Sequence, residues 1–334
     1  MLRHSSDAEP GFTRKRMGRY WAYFDETGER VTDRETIDRL NALGLPPAYT
    51  DAWFCKHPNG HLQATGIDAR GRKQYRYHAD FRAKADKSKF EALIDFGKAL
   101  PKIRRKVAKD LARRKLTRDA VIAAVVRLLD TEYLRIGNEQ YARDNKSFGA
   151  TTLLCRHVRS RGHRLTMRFA GKHGIVREVT ITDRRLGRVV RRCQELPGQA
   201  LFQYVNGSGE PQAISSSDVN DYIREASGSD FTAKHFRTWG ASIIAFDKLL
   251  DAEEAERVSV QTVVEPVAEA LGNTVAISRK AYVHPAIIET VKGRPRNALK
   301  GLKRQRARKW LSSTETTFLK FLSSRRRRRK PASA

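Results

Sequence analysis

Ala120-Val121-Ile122-Ala123-Ala124-Val125-Val126-Arg127-Leu128-Leu129 is apolar on nearly every side, as a helix enclosed in a core must be. The run lies within Arg118–Thr131 and predicts a helix there. It marks a change of character along the chain. Before it, from Tyr20 to Tyr77, aromatic runs such as Tyr20-Trp21-Ala22-Tyr23-Phe24 are broken by Glu26-Thr27-Gly28, Leu45-Pro46-Pro47 and Pro58-Asn59-Gly60, a pattern of strands and turns. After it, residues 150–182 alternate in strand fashion, with Arg161-Gly162-His163 and Gly171-Lys172-His173-Gly174 as turns. Helices return with the Ser215-Ser216-Ser217-Asp218 cap cluster, ending near Gly228, and again from Thr232 through Leu250. Pro266 and Pro285 each suit a first helical turn.

These shifts give an α+β chain with the expected divisions 1–16, a polar disordered tail; 17–81, a small β-rich domain; 82–90, a charged linker; 91–295, a larger, mainly helical domain; and 296–334, a basic tail. The tail contains Lys303-Arg304-Gln305-Arg306 and the run Arg325 to Lys330, and reads as a solvated arm.

Across 334 residues there are 66 Lys+Arg against 37 Asp+Glu, a net charge of +29. Such an excess opposes compaction by self-repulsion, so a polyanion is the expected partner, nucleic acid before an acidic membrane surface. A hydrophobic content of 40% argues against a wholly disordered basic chain. No apolar run approaches the roughly 20 residues that span a bilayer. With a polar N-terminus, Met1 to Pro10, that points to the inside of the cell. Cys55, Cys155 and Cys193 are widely spaced and odd in number, which fits free thiols rather than a disulfide framework. His57 and His61 stand near Cys55, but Pro58-Asn59-Gly60 forbids the helix that would align them on a metal.

The chemistry lies in cations set in unusual company. Arg135 occurs in Tyr133-Leu134-Arg135-Ile136-Gly137-Asn138, among apolar neighbours. Lys172 sits at a hairpin tip, and Lys234 and Arg237 are i, i+3 neighbours in Lys234-His235-Phe236-Arg237-Thr238-Trp239-Gly240. Two arginines and a lysine converging on one point repel unless an anion lies between them, and guanidinium forks match a phosphate diester two oxygens at a time.

In this order these segments resemble the type IB DNA topoisomerases of the short form found in poxviruses and bacteria. The matching segments are Gly71-Arg72-Lys73-Gln74-Tyr75-Arg76-Tyr77, Leu134 to Tyr141, Phe169-Ala170-Gly171-Lys172, Lys234 to Gly240 and Ser278-Arg279-Lys280-Ala281-Tyr282, so the likeness runs from about Arg16 to about Val291. It implies two lobes clamping duplex DNA, the catalytic one carrying a three-stranded sheet. It also implies that Tyr282 attacks the phosphodiester to form a 3′-phosphotyrosyl bond, with Arg135 and Arg237 on the non-bridging oxygens. Lys172 would be the general acid and Lys234 a supporting cation. Arg72, Gln74, Tyr75 and Tyr77 would be the DNA contacts of the first domain.

Many members carry histidine nine residues before the tyrosine. Asn273 stands there, able to donate a hydrogen bond but not to carry charge. An unbroken helix would put the two residues roughly 13.5 Å apart along its axis. Gly272 supplies the break, and Asn273 is expected to begin the next helix. The resemblance further implies no ATP, metal or other cofactor, a monomer, and a cytoplasmic, nucleoid-associated enzyme in a bacterium. Two rivals remain at this point. A tyrosine recombinase shares the Arg, Lys, Arg, Tyr chemistry but typically has histidine where Lys234 stands. A non-catalytic architectural DNA-binding protein would need only the charge.

Overall fold

The computed structural model describes residues 1–69, 71–161, 164–251, 258–293 and 299–329. They form two compact units, Met1–Lys89 and Phe90–Ala334.

The first unit is built on a five-stranded antiparallel sheet in the order β2-β1-β3-β4-β5, with β1 Phe12–Met17, β2 Tyr20–Phe24, β3 Thr50–Phe54, β4 Leu62–Ile67 and β5 Lys73–Tyr77. Helix α1, Arg34–Ala42, starts where the Asp33 carboxylate accepts from Thr36 N–H at 2.8 Å. Its Leu40 packs with Tyr23, Leu45, Phe54 and Ala64 in a small core. Residues expected as a disordered tail belong to this unit instead. Strand β1 begins inside that range, Arg3 pairs with Gly60, and the buried Ser5 hydroxyl donates to the Leu62 carbonyl at 2.9 Å. Backbone pairing, which composition does not report, holds them. The expected linker is helical too, within α2, Ala79–Glu91; its alanines, lysines and arginine favour a helix whatever their charge.

The second unit is mainly helical. Helix α3, Leu93–Leu111, α4, Arg118–Thr131, and α8, Ala233–Asp251, carry a large share of its core, and nine residues of α4 are buried, as its composition demanded. Between them stand α5, Glu139–Asn145, an antiparallel sheet of β6 Val158–Arg161, β7 Arg164–Ala170 and β8 Val176–Ile181, α6 Arg184–Gln194, the short hairpin β9 Gln203–Val205 and β10 Pro211–Ala213, and α7 Ser216–Ser227. The turn expected at Arg161-Gly162-His163 falls largely outside the described residues.

Three expectations are corrected here. Residues 150–157 form two short 3-10 turns rather than a strand, because their backbone donors turn aside: Ala150 N–H donates to the Arg135 carbonyl at 2.8 Å and Thr151 N–H to that of Ile136 at 2.7 Å. Pro266 lies inside α9, Val260–Leu271, because Ser259 caps that helix further upstream; Pro285 does begin α11, Pro285–Lys292. The third concerns the basic tail. Residues Ser313–Arg329 form a helix, α12, whose Phe318, Phe321 and Leu322 are buried, Phe318 and Phe321 against Phe246 and Phe318 also against Trp239. Apolar side chains at helical spacing outweigh the arginine run at the end of that helix.

Gly97 marks how closely these helices meet. A methyl group there would overlap the Trp239 ring of α8 and lie 2.8 Å from Leu319 of α12. Gly97→Ala is therefore expected to cost about 1–3 kcal/mol of unfolding free energy by overpacking. Urea unfolding of the pure protein reads this, and an unchanged midpoint would contradict the packing.

Candidate active site

Arg135 hangs in the loop that leaves α4. Tyr133 there adopts φ 52°, and Leu134 is buried. The loop is zipped to the segment beginning at Gly149 by the backbone bonds from Ala150 and Thr151. A side chain at Gly149 would come within 2.6 Å of the Arg135 carbonyl, so only glycine allows that approach. Held this way, Arg135 Nη2 donates to Asn273 Oδ1 at 2.7 Å.

Asn273 owes its place to Gly272, which ends α9 in the left-handed region at φ 60°. Asn273 does not begin the next helix as expected. Thr274 does, its hydroxyl accepting from Ile277 N–H at 3.2 Å to start α10, Val275–Ala281. The Asn273 backbone instead donates back to Ala268 at 2.9 Å, and Nδ2 is buried without an acceptor among the described residues.

Arg237 projects from α8 and is 5% exposed. It donates through Nη1 to the Tyr133 carbonyl and through Nη2 to the Leu271 carbonyl at 3.2 Å, while Nε is buried without an acceptor among the described residues. Its guanidinium carbon stands 5.1 Å from the centre of the Tyr282 ring. Burial lowers its proton affinity first, and the charge of Arg135 lowers it further. The partners of these two arginines are carbonyl and amide oxygens, not carboxylates, so their charge faces the site uncompensated.

Tyr282 closes α10, its N–H bonded to the Ser278 carbonyl at 3.0 Å. Its own carbonyl accepts from Ser242 Oγ at 3.3 Å, and Ser242 Oγ accepts from His284 N–H at 3.1 Å, which ties the end of α10 to α8. Burial alone would raise the Tyr282 phenol. The charge of Arg237, a hydrogen bond from it, and the charges of Arg135 and Lys172 together outweigh burial and hold the phenol below its ordinary 10.

Lys172 is exposed on the turn between β7 and β8 and contributes its charge to that field. Lys234 is exposed in the first turn of α8, one turn before Arg237. In the first unit, Arg72 and Gln74 converge on Asp68, Arg72 Nε at 2.8 Å and Gln74 Nε2 at 3.0 Å. Tyr75 is 48% exposed and stacks on Tyr77, ring centres 6.1 Å apart.

Sequence reasoning missed Asp68, Ser242 and Arg177. Arg177 on β8 donates to the Glu269 and Ala270 carbonyls at 3.3 and 2.8 Å, so it braces the last turn of α9 just ahead of Gly272. In the sequence it is one arginine among many on an alternating strand, with no signal to separate it.

A half-buried tyrosine beside two arginines that have no carboxylate partner among the described residues, on a helical unit with a three-stranded sheet, is an arrangement suited to binding and attacking a phosphodiester. The model of the eukaryotic DNA topoisomerase I catalytic core matches residues 78–309, and that of the bacterial DNA topoisomerase IB N-terminal domain matches residues 20–68. The chain belongs to the type IB DNA topoisomerase family, and its activity is the isomerisation of DNA topology. It is 33% identical to the DNA topoisomerase 1B of Acanthamoeba polyphaga mimivirus over 299 residues, covering 85% of this chain and 88% of the viral one. The DNA topoisomerase 1B of vaccinia virus strain Copenhagen is 20% identical over 236 residues, 68% of this chain and 71% of that one. A solved structure of XerH site-specific recombinase on its difH substrate overlays 59% of this chain and 52% of that one at 15% identity and a TM-score of 0.35, too loosely to argue from.

Proposed function

We propose that this topoisomerase relaxes supercoiled duplex DNA through a 3′-phosphotyrosyl intermediate on Tyr282. The observation that carries the reading is the Tyr282 ring 5.1 Å from the guanidinium carbon of Arg237, whose charge, with those of Arg135 and Lys172, favours the phenolate against burial. Deprotonated, the Tyr282 oxygen attacks the scissile phosphorus while the bond from phosphorus to the 5′ oxygen breaks. Charge growing on the non-bridging oxygens is met by Arg135 and Arg237, with the idle Asn273 Nδ2 available as a neutral donor. Lys172 gives its proton to the departing 5′ oxygen, and Lys234 supports Arg237 from one turn away. Religation reverses each step. The phosphotyrosyl bond conserves the energy of the broken one, so no nucleotide is needed.

The two units are proposed to clamp duplex DNA, the first presenting Arg72, Gln74, Tyr75 and Tyr77 to it. Glutamine can read a base edge, while tyrosine and arginine serve stacking and phosphate. Because Asp68 already holds Arg72 and Gln74, exposed Tyr75 is the readiest of the four. The enzyme is proposed to act as a monomer on the nucleoid of a bacterial cell. Among the described residues no helix is long and apolar enough to cross a membrane.

Supercoiled plasmid incubated with the pure chain in EDTA without ATP should relax fully, because the arginines supply the charge a metal would otherwise bring. Loss of activity in EDTA that magnesium restores would contradict the mechanism. A monomer that relaxes plasmid unaided also separates this reading from a recombinase, which needs partner protomers.

The phenolate is the attacking form, so single-turnover cleavage should rise with pH through the Tyr282 transition, with its midpoint below that of an ordinary phenol. Arg237→Ala removes the largest cationic contribution and should move that limb to higher pH. An unmoved limb would show that another group titrates.

A further inference from the structure

Helix α12 does more than fill the core, and Glu315 is the residue that reaches out of it. Its carboxylate is buried and accepts from Arg104 Nη2 at 2.7 Å, Arg104 Nη1 at 2.9 Å, the indole Nε1 of Trp239 at 2.9 Å and Ser312 N–H at 2.8 Å. Arg104, on α3, also donates from Nε to Asp130 at 2.8 Å, from Nη2 to Asp130 at 2.9 Å and from Nη1 to the Trp310 carbonyl at 2.7 Å. Every N–H of one guanidinium is therefore used, by two carboxylates and a carbonyl. Such a fork fixes both distance and angle, as a flexible ammonium could not.

What this knot joins gives it a consequence for chemistry. Asp130 sits at the end of α4, three residues before Tyr133 and five before Arg135. Trp239 sits on α8, two residues after Arg237. The two ends meet again at the site, where the Tyr133 carbonyl accepts from Arg237 and the Tyr133 ring lies where any side chain at Gly240 would have to go. A closed loop of contacts thus runs from Glu315 to Trp239, along α8 to Arg237, across to Tyr133, back to Asp130 and through Arg104 to Glu315. Remove the Glu315 link and the spacing between Arg237 and Arg135 loses its outer brace, keeping the bonds at the site itself to Tyr133, Leu271 and Asn273. Burial disfavours the charged Glu315, yet its bonds with Arg104 outweigh that and keep the carboxyl below its ordinary value. The link therefore stays charged at neutral pH.

We propose that Glu315 is a positioning residue for strand cleavage, acting through Trp239 and through Arg104 and Asp130 to hold Arg237 and Arg135 at the separation a phosphodiester needs. The inference rests on the catalytic role proposed for Arg237. Glu315 touches no substrate; its effect is on where the guanidinium forks point, and displacement by a fraction of an ångström is costly to a reaction that depends on alignment.

The test is single-turnover cleavage of a duplex by the full chain, reading rate constant, amplitude, duplex affinity and thermal melting together. Glu315→Gln keeps the volume and an oxygen for Trp239 but loses the charge and half of the fork. It should cut the rate constant about tenfold while amplitude and affinity stay within about twofold. In an Arg237→Ala background the same change should cost less than about twofold more, since one end of the separation it sets is gone. Equal slowing in both backgrounds would overturn the proposal. So would a reduced amplitude at an unchanged rate constant, the mark of a merely structural role. Should Glu315→Gln fail to fold, Trp239→Phe deletes the indole donor while keeping an aromatic ring, and an unslowed rate constant in that variant would equally overturn it. A normal rate for Arg237→Ala alone is a separate result, and would sink the reading of the site itself.

Discussion

Tyr282→Phe is expected to reduce plasmid relaxation below about 1% of native and to abolish the protein–DNA adduct that survives denaturation. Only one oxygen is lost. The ring keeps its place near Arg237, and the backbone bonds that fix it, through Ser278 and Ser242, do not involve the hydroxyl. Duplex affinity should stay within about twofold, because it rests on cations spread over a chain of net charge +29. Filter binding and adduct gels on the same preparations check both halves. Relaxation persisting well above that level would assign the attack to another residue, and a large loss of affinity would make Tyr282 a binding residue.

Lys172→Ala should slow cleavage of ordinary DNA by about 10²–10⁴-fold, the range for loss of a general acid, with a much smaller loss of binding. The informative comparison uses a substrate whose 5′-bridging oxygen is replaced by sulfur. A thiolate leaves without protonation because its conjugate acid is far stronger than an alcohol, so the acid becomes redundant. Lys172→Ala should cleave that substrate at close to the native rate, while Arg135→Ala should remain slow on both, since its task is charge on the phosphate. The placement of Lys172 suits the role. It is exposed on a short turn between two strands, without the side-chain bonds among the described residues that pin Arg135 and Arg237, and placed to reach a leaving group once DNA is present. Equal impairment on both substrates would make Lys172 a phosphate-binding cation like the arginines.

The legible parts of this protein were those whose signal is local. Helix α4 declared itself because an apolar run leaves a helix no exposed face. The ends of α7 were readable from Ser215 and Gly228, which do what their side chains favour. Gly272 announced the break that lets Asn273 leave the helix axis, although Thr274 rather than Asn273 caps α10. Contacts across the chain left no such trace. Arg135 and Asn273 are 138 residues apart and meet at 2.7 Å, and no spacing rule connects them. The C-terminal helix was hidden by its neighbour. Phe318, Leu319, Phe321 and Leu322 have the period of a buried helical face, but the arginines beside them dominate any average over the segment. Arg104 and Glu315 read as two charges among many until the fold brings them together. The charge and the order of motifs therefore carried the kind of chemistry, while the bracing behind it needed the structure.

The central claim is that Tyr282 becomes covalently joined to the 3′ side of the cut. Trapping the complex on a defined duplex by denaturant, digesting the protein and sequencing the nucleotide-bearing peptide by mass spectrometry reads the linkage directly. The account predicts a single modified peptide, with the 3′ phosphate of the cut strand on Tyr282 and a free 5′ hydroxyl on the released strand. A linkage to any other residue, or one through the 5′ phosphate, would contradict it.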